Sequence, residues 1–139
     1  MQLGQFNLVV TDMQRAVAFY RLLGLQIDDT KPFSEHHIAV RMDNGFLLEF
    51  DSLQFAHKWN AGSPRTNGQN CNVIGFNLAT REAVDEVVAR IVAAGYAVQQ
   101  PPHDAFWGAR YAIVEDPDRN SVGLMSPIDP QRRSPTPEF

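Results

Sequence analysis

The side chains in this sequence best suited to chemistry are four histidines, one cysteine, two tryptophans and a carboxylate set among apolar residues. His36 and His37 are neighbours in "EHHIAVRM", which reads as a strand, so they point to opposite faces and at most one can face a site. His57 lies in "FAHKWN", a candidate short helical turn, and His103 in the loop "PPHDAFWG". None of the four has the i, i+4 helical spacing of a strong metal-binding pair. A structural or solvent-facing role is the expectation for each. Cys71, in "NCN", has no neighbouring cation to activate a thiolate and reads as a small apolar filler. Trp59 and Trp107 offer faces that stack on flat rings and attract cations. They either line a pocket or seal the ends of the fold. Phe106 and Tyr111 lie near Trp107, while Phe55 is expected to seal rather than bind.

Those residues are carried by a repeating order of elements. In "QFNLVV" alternation puts Phe6, Leu8 and Val10 on one strand face and Gln5, Asn7 and Val9 on the other. A helix follows, capped by Thr11 or Asp12, with Ala16, Phe19, Tyr20 and Leu23 on one stripe and Gly24 at its end. Strands are expected at residues 25–29, at "EHHIAVRM" and at "FLLEFDS", the last two joined through the tight turn "DNG". The order recurs in the second half. "NVIGFNLA" is a strand, and Thr80 caps a helix striped by Val84, Val87, Val88, Ile91 and Val92 and ended by Gly95. "YAVQQ", "RYAIVED" and "SVGLM" supply three more strands, with "DPDRN" as the last turn. Two βαβββ modules result, at about residues 3–52 and 71–127, joined by a linker over 53–70. The proline-rich stretch 128–139 is expected to be an extended or disordered tail.

The bulk properties exclude several classes. A chain of 139 residues with 44% hydrophobic and 20% charged residues is one globular domain that needs no disulfide. A net charge of −4 gives no footprint for nucleic acid or an anionic membrane. No leader-like segment and no apolar run near the ~18 residues of a membrane span are present. A cytoplasmic location is the default expectation.

"LVVTDMQRAVAFYRLLGL" and "YAIVEDPDRNSVGLM" resemble signature runs of the vicinal oxygen chelate superfamily, which includes glyoxalase I, bleomycin-resistance proteins and extradiol dioxygenases. The second run departs from the usual "DPDGN" by carrying Arg119 for Gly. The resemblance covers roughly residues 3–127. It implies an α+β fold in which two modules curl a mixed sheet around a concave cup, with helices on the outside. It also implies pairing into a homodimer, since such modules expose strand edges.

The resemblance assigns four positions to the metal of metal-binding members. They fall on Gln5, seven residues before Asp12; on Glu49; on Val73, beside Asn72; and on Gly123, seven residues after Asp116. Gln5 and Glu49 can donate oxygen, but Val73 and Gly123 have no donor, and a catalytic site needs about three protein ligands. A metal is therefore not expected; Zn, Ni, Fe or Mn would require a histidine from outside the pattern.

Alternation then gives the cup-facing set: Gln5, Asn7, Val9, Leu47, Glu49, Asp51, Val73, Gly75, Asn77, Ser121, Gly123 and Met125. The two glycines are expected to leave room for an organic ligand. Glu49 is read as a general base or an anchor for a ligand amine, or else as a strand residue paired with Arg41 or Arg110. The resulting expectation is a metal-free protein binding a small aromatic or cationic molecule through Gln5, Asn7, Glu49, Asn77, Trp59, Trp107 and Met125. The alternative is a superfamily enzyme (a lyase, isomerase or dioxygenase-like protein) using Glu49 as base or metal ligand. A third reading is an interaction module with a vestigial cup.

Overall fold

The computed structural model describes residues 4–59 and 73–135, with the backbone alone for 57–59. The chain divides into two compact units, residues 1–69 and 70–139.

In the first unit β1 (Gln5–Val10) leads into α1 (Met13–Leu22), followed by β2 (His37–Arg41), β3 (Leu47–Ser52) and α2 (Leu53–Trp59). The sheet order is β1-β3-β2, with β1 parallel and β2 antiparallel to β3. Asp12 is the cap of α1: its carboxylate accepts from the Arg15 amide at 3.0 Å. Gly24, at φ +98, turns the chain out of the helix in the left-handed region open to glycine. The inner stripe of α1 (Met13, Ala16, Val17, Phe19, Tyr20) is buried, and the Tyr20 and Phe50 rings meet edge-on at 4.9 Å. Leu8, Val10, Leu48 and Phe50 line the same core.

The expected strand at residues 25–29 is absent. The side chains there satisfy the backbone locally, in competition with a ladder. Asp28 accepts from both the amide and the hydroxyl of Thr30, and Arg21 reaches the Ile27 carbonyl at 2.7 Å and Asp29 at 2.9 Å. The first unit is therefore βαββ rather than βαβββ.

The second unit is the full βαβββ module: β4 (Val73–Asn77), α3 (Arg81–Ala93), β5 (Val98–Asp104), β6 (Arg110–Glu115) and β7 (Ser121–Met125), in sheet order β4-β7-β6-β5. Thr80 caps α3 by accepting from the Ala83 amide at 3.1 Å. Val84, Val87, Val88 and Ile91 are buried, whereas Val92 is exposed. Arg110 ties the helix to the sheet, bonding Asp85 on α3 at 2.7 Å and Asp104 at 3.0 Å. β5 runs further than expected, through Pro101, Pro102 and His103. It is the edge strand and its register shifts twice, which is where a sheet tolerates prolines. His103 thus sits on a strand and not in a loop. In the final hairpin Asp116 accepts from the amides of Asp118 and Asn120, and Arg119 takes the left-handed conformation at φ +65. Beyond it, Pro130–Arg132 forms a 3-10 turn, and backbone bonds run from Asp129 to Gly108 and from Ser134 to Phe106.

Candidate functional site

Hairpin register and strand alternation gather five mutually bonded polar residues on one face of the first unit, with Arg41 further along the same face. Asn7 lies beside Glu49 in β3, and His37 lies opposite Asp51. Asn7 Nδ2 donates to Glu49 at 2.7 Å and to Asp51 at 2.9 Å. Gln5 Nε2 donates to Asn7 Oδ1 at 3.0 Å and, more weakly, to Glu49 at 3.4 Å. His37 Nδ1 meets Asp51 at 2.6 Å. The two carboxylates settle the amide orientations, because an amide oxygen turned toward either would repel it.

Both N–H groups of Asn7 and of Gln5 are engaged within the cluster, as is His37 Nδ1–H. What remains within this cluster for an incoming molecule is acceptor capacity, Glu49 Oε1, Gln5 Oε1 and His37 Nε2, while Arg41 further along the same face keeps N–H donors beyond its one bond to the Gly45 carbonyl. Glu49 has no basic partner among the described residues. The arginines considered for it are used elsewhere, Arg41 on the Gly45 carbonyl and Arg110 on Asp85 and Asp104.

The sequence places Asp51 on the cup side and leaves one of His36 and His37 free to face it, but gives neither Asp51 nor His37 a site role. Asp51 is only 1% exposed, although it lies on the polar face. The signal was available: if "DNG" is a tight turn, Met42 pairs with Phe46, and counting back along both strands sets His37 opposite Asp51. Phe55, expected to seal, packs its ring 5.5 Å from that of His37.

In the second unit one row across the sheet reads Asn77, Met125, Tyr111, His103. Asn77 is exposed and Met125 half-buried. Tyr111 is the centre of an aromatic run, with the His103 ring at 6.1 Å and that of Trp107 at 5.4 Å; Phe106 follows at 5.0 Å from Trp107. The Trp59 side chain, and all of Cys71 and Asn72, lie outside the described residues.

The two glycines differ. A Cβ on Gly75 would meet nothing within 4 Å, so that position does leave room. On Gly123 it would lie 2.8 Å from the Tyr111 hydroxyl and 3.1 Å from Val73 Cγ1. The expected space at Gly123 is filled by Tyr111. Of the four positions that the resemblance assigns to a metal, Val73 and Gly123 bring no donor side chain, and the Tyr111 phenol lies where a side chain at 123 would begin. Among the described residues no group of three or more His, Cys, Asp or Glu side chains is arranged to hold a metal. No described helix is long and apolar enough to cross a membrane.

Two sheets built in this order, each with a parallel pair whose strands flank a helix in sequence, are those of the two-module α+β fold. The chain belongs to the glyoxalase/bleomycin resistance protein/dioxygenase superfamily, whose family model matches residues 2–124. No curated protein matches it significantly. Solved structures similar to it include a glyoxalase-related enzyme from Fulvimarina pelagi (21% identity, 91% of this chain and 88% of that one, TM-score 0.77). A family enzyme from Burkholderia phytofirmans PsJN is 22% identical over 91% of this chain and 98% of that one, with a TM-score of 0.74. Lactoylglutathione lyase from Agrobacterium tumefaciens is 23% identical over 90% and 92%, with a TM-score of 0.65. At these identities the likeness is one of fold.

Proposed function

We propose that this chain is a metal-free binding protein for a small aromatic or cationic organic molecule, anchored through Glu49. One observation carries the reading: the cluster of Gln5, Asn7, Glu49, Asp51 and His37 has spent its amide N–H donors internally and keeps acceptors free, one of them a carboxylate with no described counter-ion. Such a surface favours a ligand that brings positive charge or clustered donors. Gln5 and Asn7 hold Glu49 in place. Within the second unit, the Trp107–Tyr111 contact and the exposed Asn77 suit a flat ring with a polar edge. The chain is further proposed to act as a homodimer, which a monomeric mass by light scattering at tens of micromolar would contradict.

The test is calorimetry with benzyltrimethylammonium, benzylguanidinium and benzoate. The two cations should bind and benzoate should not. Glu49→Gln should weaken cation binding by about tenfold or more, the scale of one charge-assisted contact. Equal affinity in both proteins overturns the assignment. So does a stoichiometric divalent ion in protein purified without chelator, if the ion is lost in Glu49→Gln.

A further inference from the structure

His37 and Asp51 together have the geometry of an oriented base. Asp51 is the one buried carboxylate among the described residues of the first unit. Its two oxygens are divided between two donors, Oδ2 to Asn7 at 2.9 Å and Oδ1 to His37 Nδ1 at 2.6 Å. A carboxylate on Nδ1 keeps the proton there and leaves Nε2 with its lone pair outward. The imidazole is about one-third exposed and rests against the Phe55 ring, so Nε2 is reachable beside an apolar wall. Among the described residues nothing bonds Nε2. Asn7 links this pair to Glu49 through its second N–H, at 2.7 Å. His36 does not share the arrangement; its Nδ1 meets Ser52 Oγ at 3.3 Å.

We propose that His37 is a general base held by Asp51, and that it takes a proton from an activated C–H of a small aromatic or amine-bearing substrate. The C–H bond breaks, the new N–H bond forms at His37 Nε2, and the electron pair stays on the substrate. Returning the proton to another substrate atom completes an isomerisation. Expulsion of a leaving group on the neighbouring atom completes an elimination, and the proton then passes to water. Neither route needs an oxidant, a reductant or a second substrate. Glu49 anchors the substrate, His37 is the catalytic residue and Asp51 is the positioning residue. Only the choice of substrate class rests on the ligand reading above; the base itself stands on the hydrogen bonds of the first unit.

Nitrobenzisoxazole tests the base without a cation. When a base removes its ring C–H proton, that electron pair forms the nitrile, the N–O bond breaks, and a coloured cyanophenolate appears. The protein is expected to accelerate this opening over an equal concentration of free imidazole. His37→Gln should lower kcat by about a hundredfold, the usual scale for losing a positioned base. Asp51→Asn should lower kcat about tenfold or more with KM little changed, and His36→Gln should leave the rate alone. Nitrogen-15 NMR should show His37 as the Nδ1–H tautomer in the native protein and a tautomer mixture in Asp51→Asn. This spectrum also shows whether that variant is folded. No acceleration over imidazole, or a rate indifferent to His37→Gln, overturns the proposal. Benzyltrimethylammonium binding without ring opening refutes the base alone; ring opening without that binding refutes the ligand reading alone.

Discussion

Filling of the Gly123 space by Tyr111 can be measured as a coupling energy. Gly123→Ala places a methyl 2.8 Å from the Tyr111 hydroxyl, 3.1 Å from Val73 Cγ1 and 3.3 Å from Tyr111 Cε2. The first distance is inside contact, so the phenol must move. It is hemmed in by the rings of His103 and Trp107, and any shift disturbs that run. Overpacking of this kind costs about 1–3 kcal/mol. Against it stands a gain of about 0.5–1 kcal/mol from replacing glycine inside a regular element. A net loss of about 1 kcal/mol is expected, a fall in Tm of about 3–5 °C for a chain of this size. In a Tyr111→Phe background the shortest contact is gone while the ring remains. The same Gly123→Ala change should then be neutral or slightly stabilising. Urea unfolding of the four proteins gives the cycle, and a coupling of about 1–2 kcal/mol is expected. If Gly123→Ala has the same effect in both backgrounds, within about 0.3 kcal/mol, Tyr111 does not occupy that space and the structural case against a fourth ligand there fails.

Arg119 holds φ +65, where a side chain costs about 1 kcal/mol, and its contact with Glu115 is a loose 4.0 Å surface pair. Arg119→Gly should therefore raise the unfolding free energy by about 0.5–1 kcal/mol, and a loss on urea titration would refute the strain argument. The Asp104 carboxyl is held below the ordinary carboxylate range, chiefly by its hydrogen bond from Arg110, which outweighs the opposing cost of desolvation, and then by the charges of Arg81, Arg110 and Arg132. A folded value below the unfolded one contributes stability above the unfolded carboxylate pKa of about 3.9, and that stability is lost as pH falls through the lowered value. Asp104→Asn should thus lower Tm near neutral pH and have a vanishing effect at strongly acid pH; a pH-independent difference would show that the ion pair is not its cause.

Much of the fold was legible because its signals are local. Asp12 and Thr80 cap their helices through their own side chains, and Gly24 and Gly95 take the positive φ that ends a helix. The turn at Asp43–Gly45 sets the hairpin register, and alternation sorts Leu8, Val10, Leu48 and Phe50 from Asn7, Glu49 and Asp51. That same alternation placed Gln5, Asn7 and Glu49 on one face. Residues 25–29 were misread because an apolar–acidic run fits a strand equally well until Arg21, Thr30 and the aspartates claim its backbone and side chains.

What the sequence determined on its own is the order of elements, their ends and the side of each sheet on which a residue falls, since backbone sterics and a period of two or 3.6 are read within a few residues. Tertiary structure alone decided that Asp51 is buried and shared between Asn7 and His37, leaving Nε2 outward, and that Tyr111 reaches over Gly123. Both depend on how far a side chain extends across neighbouring strands and on which groups have already spent their hydrogen bonds, and neither is encoded by position along the chain.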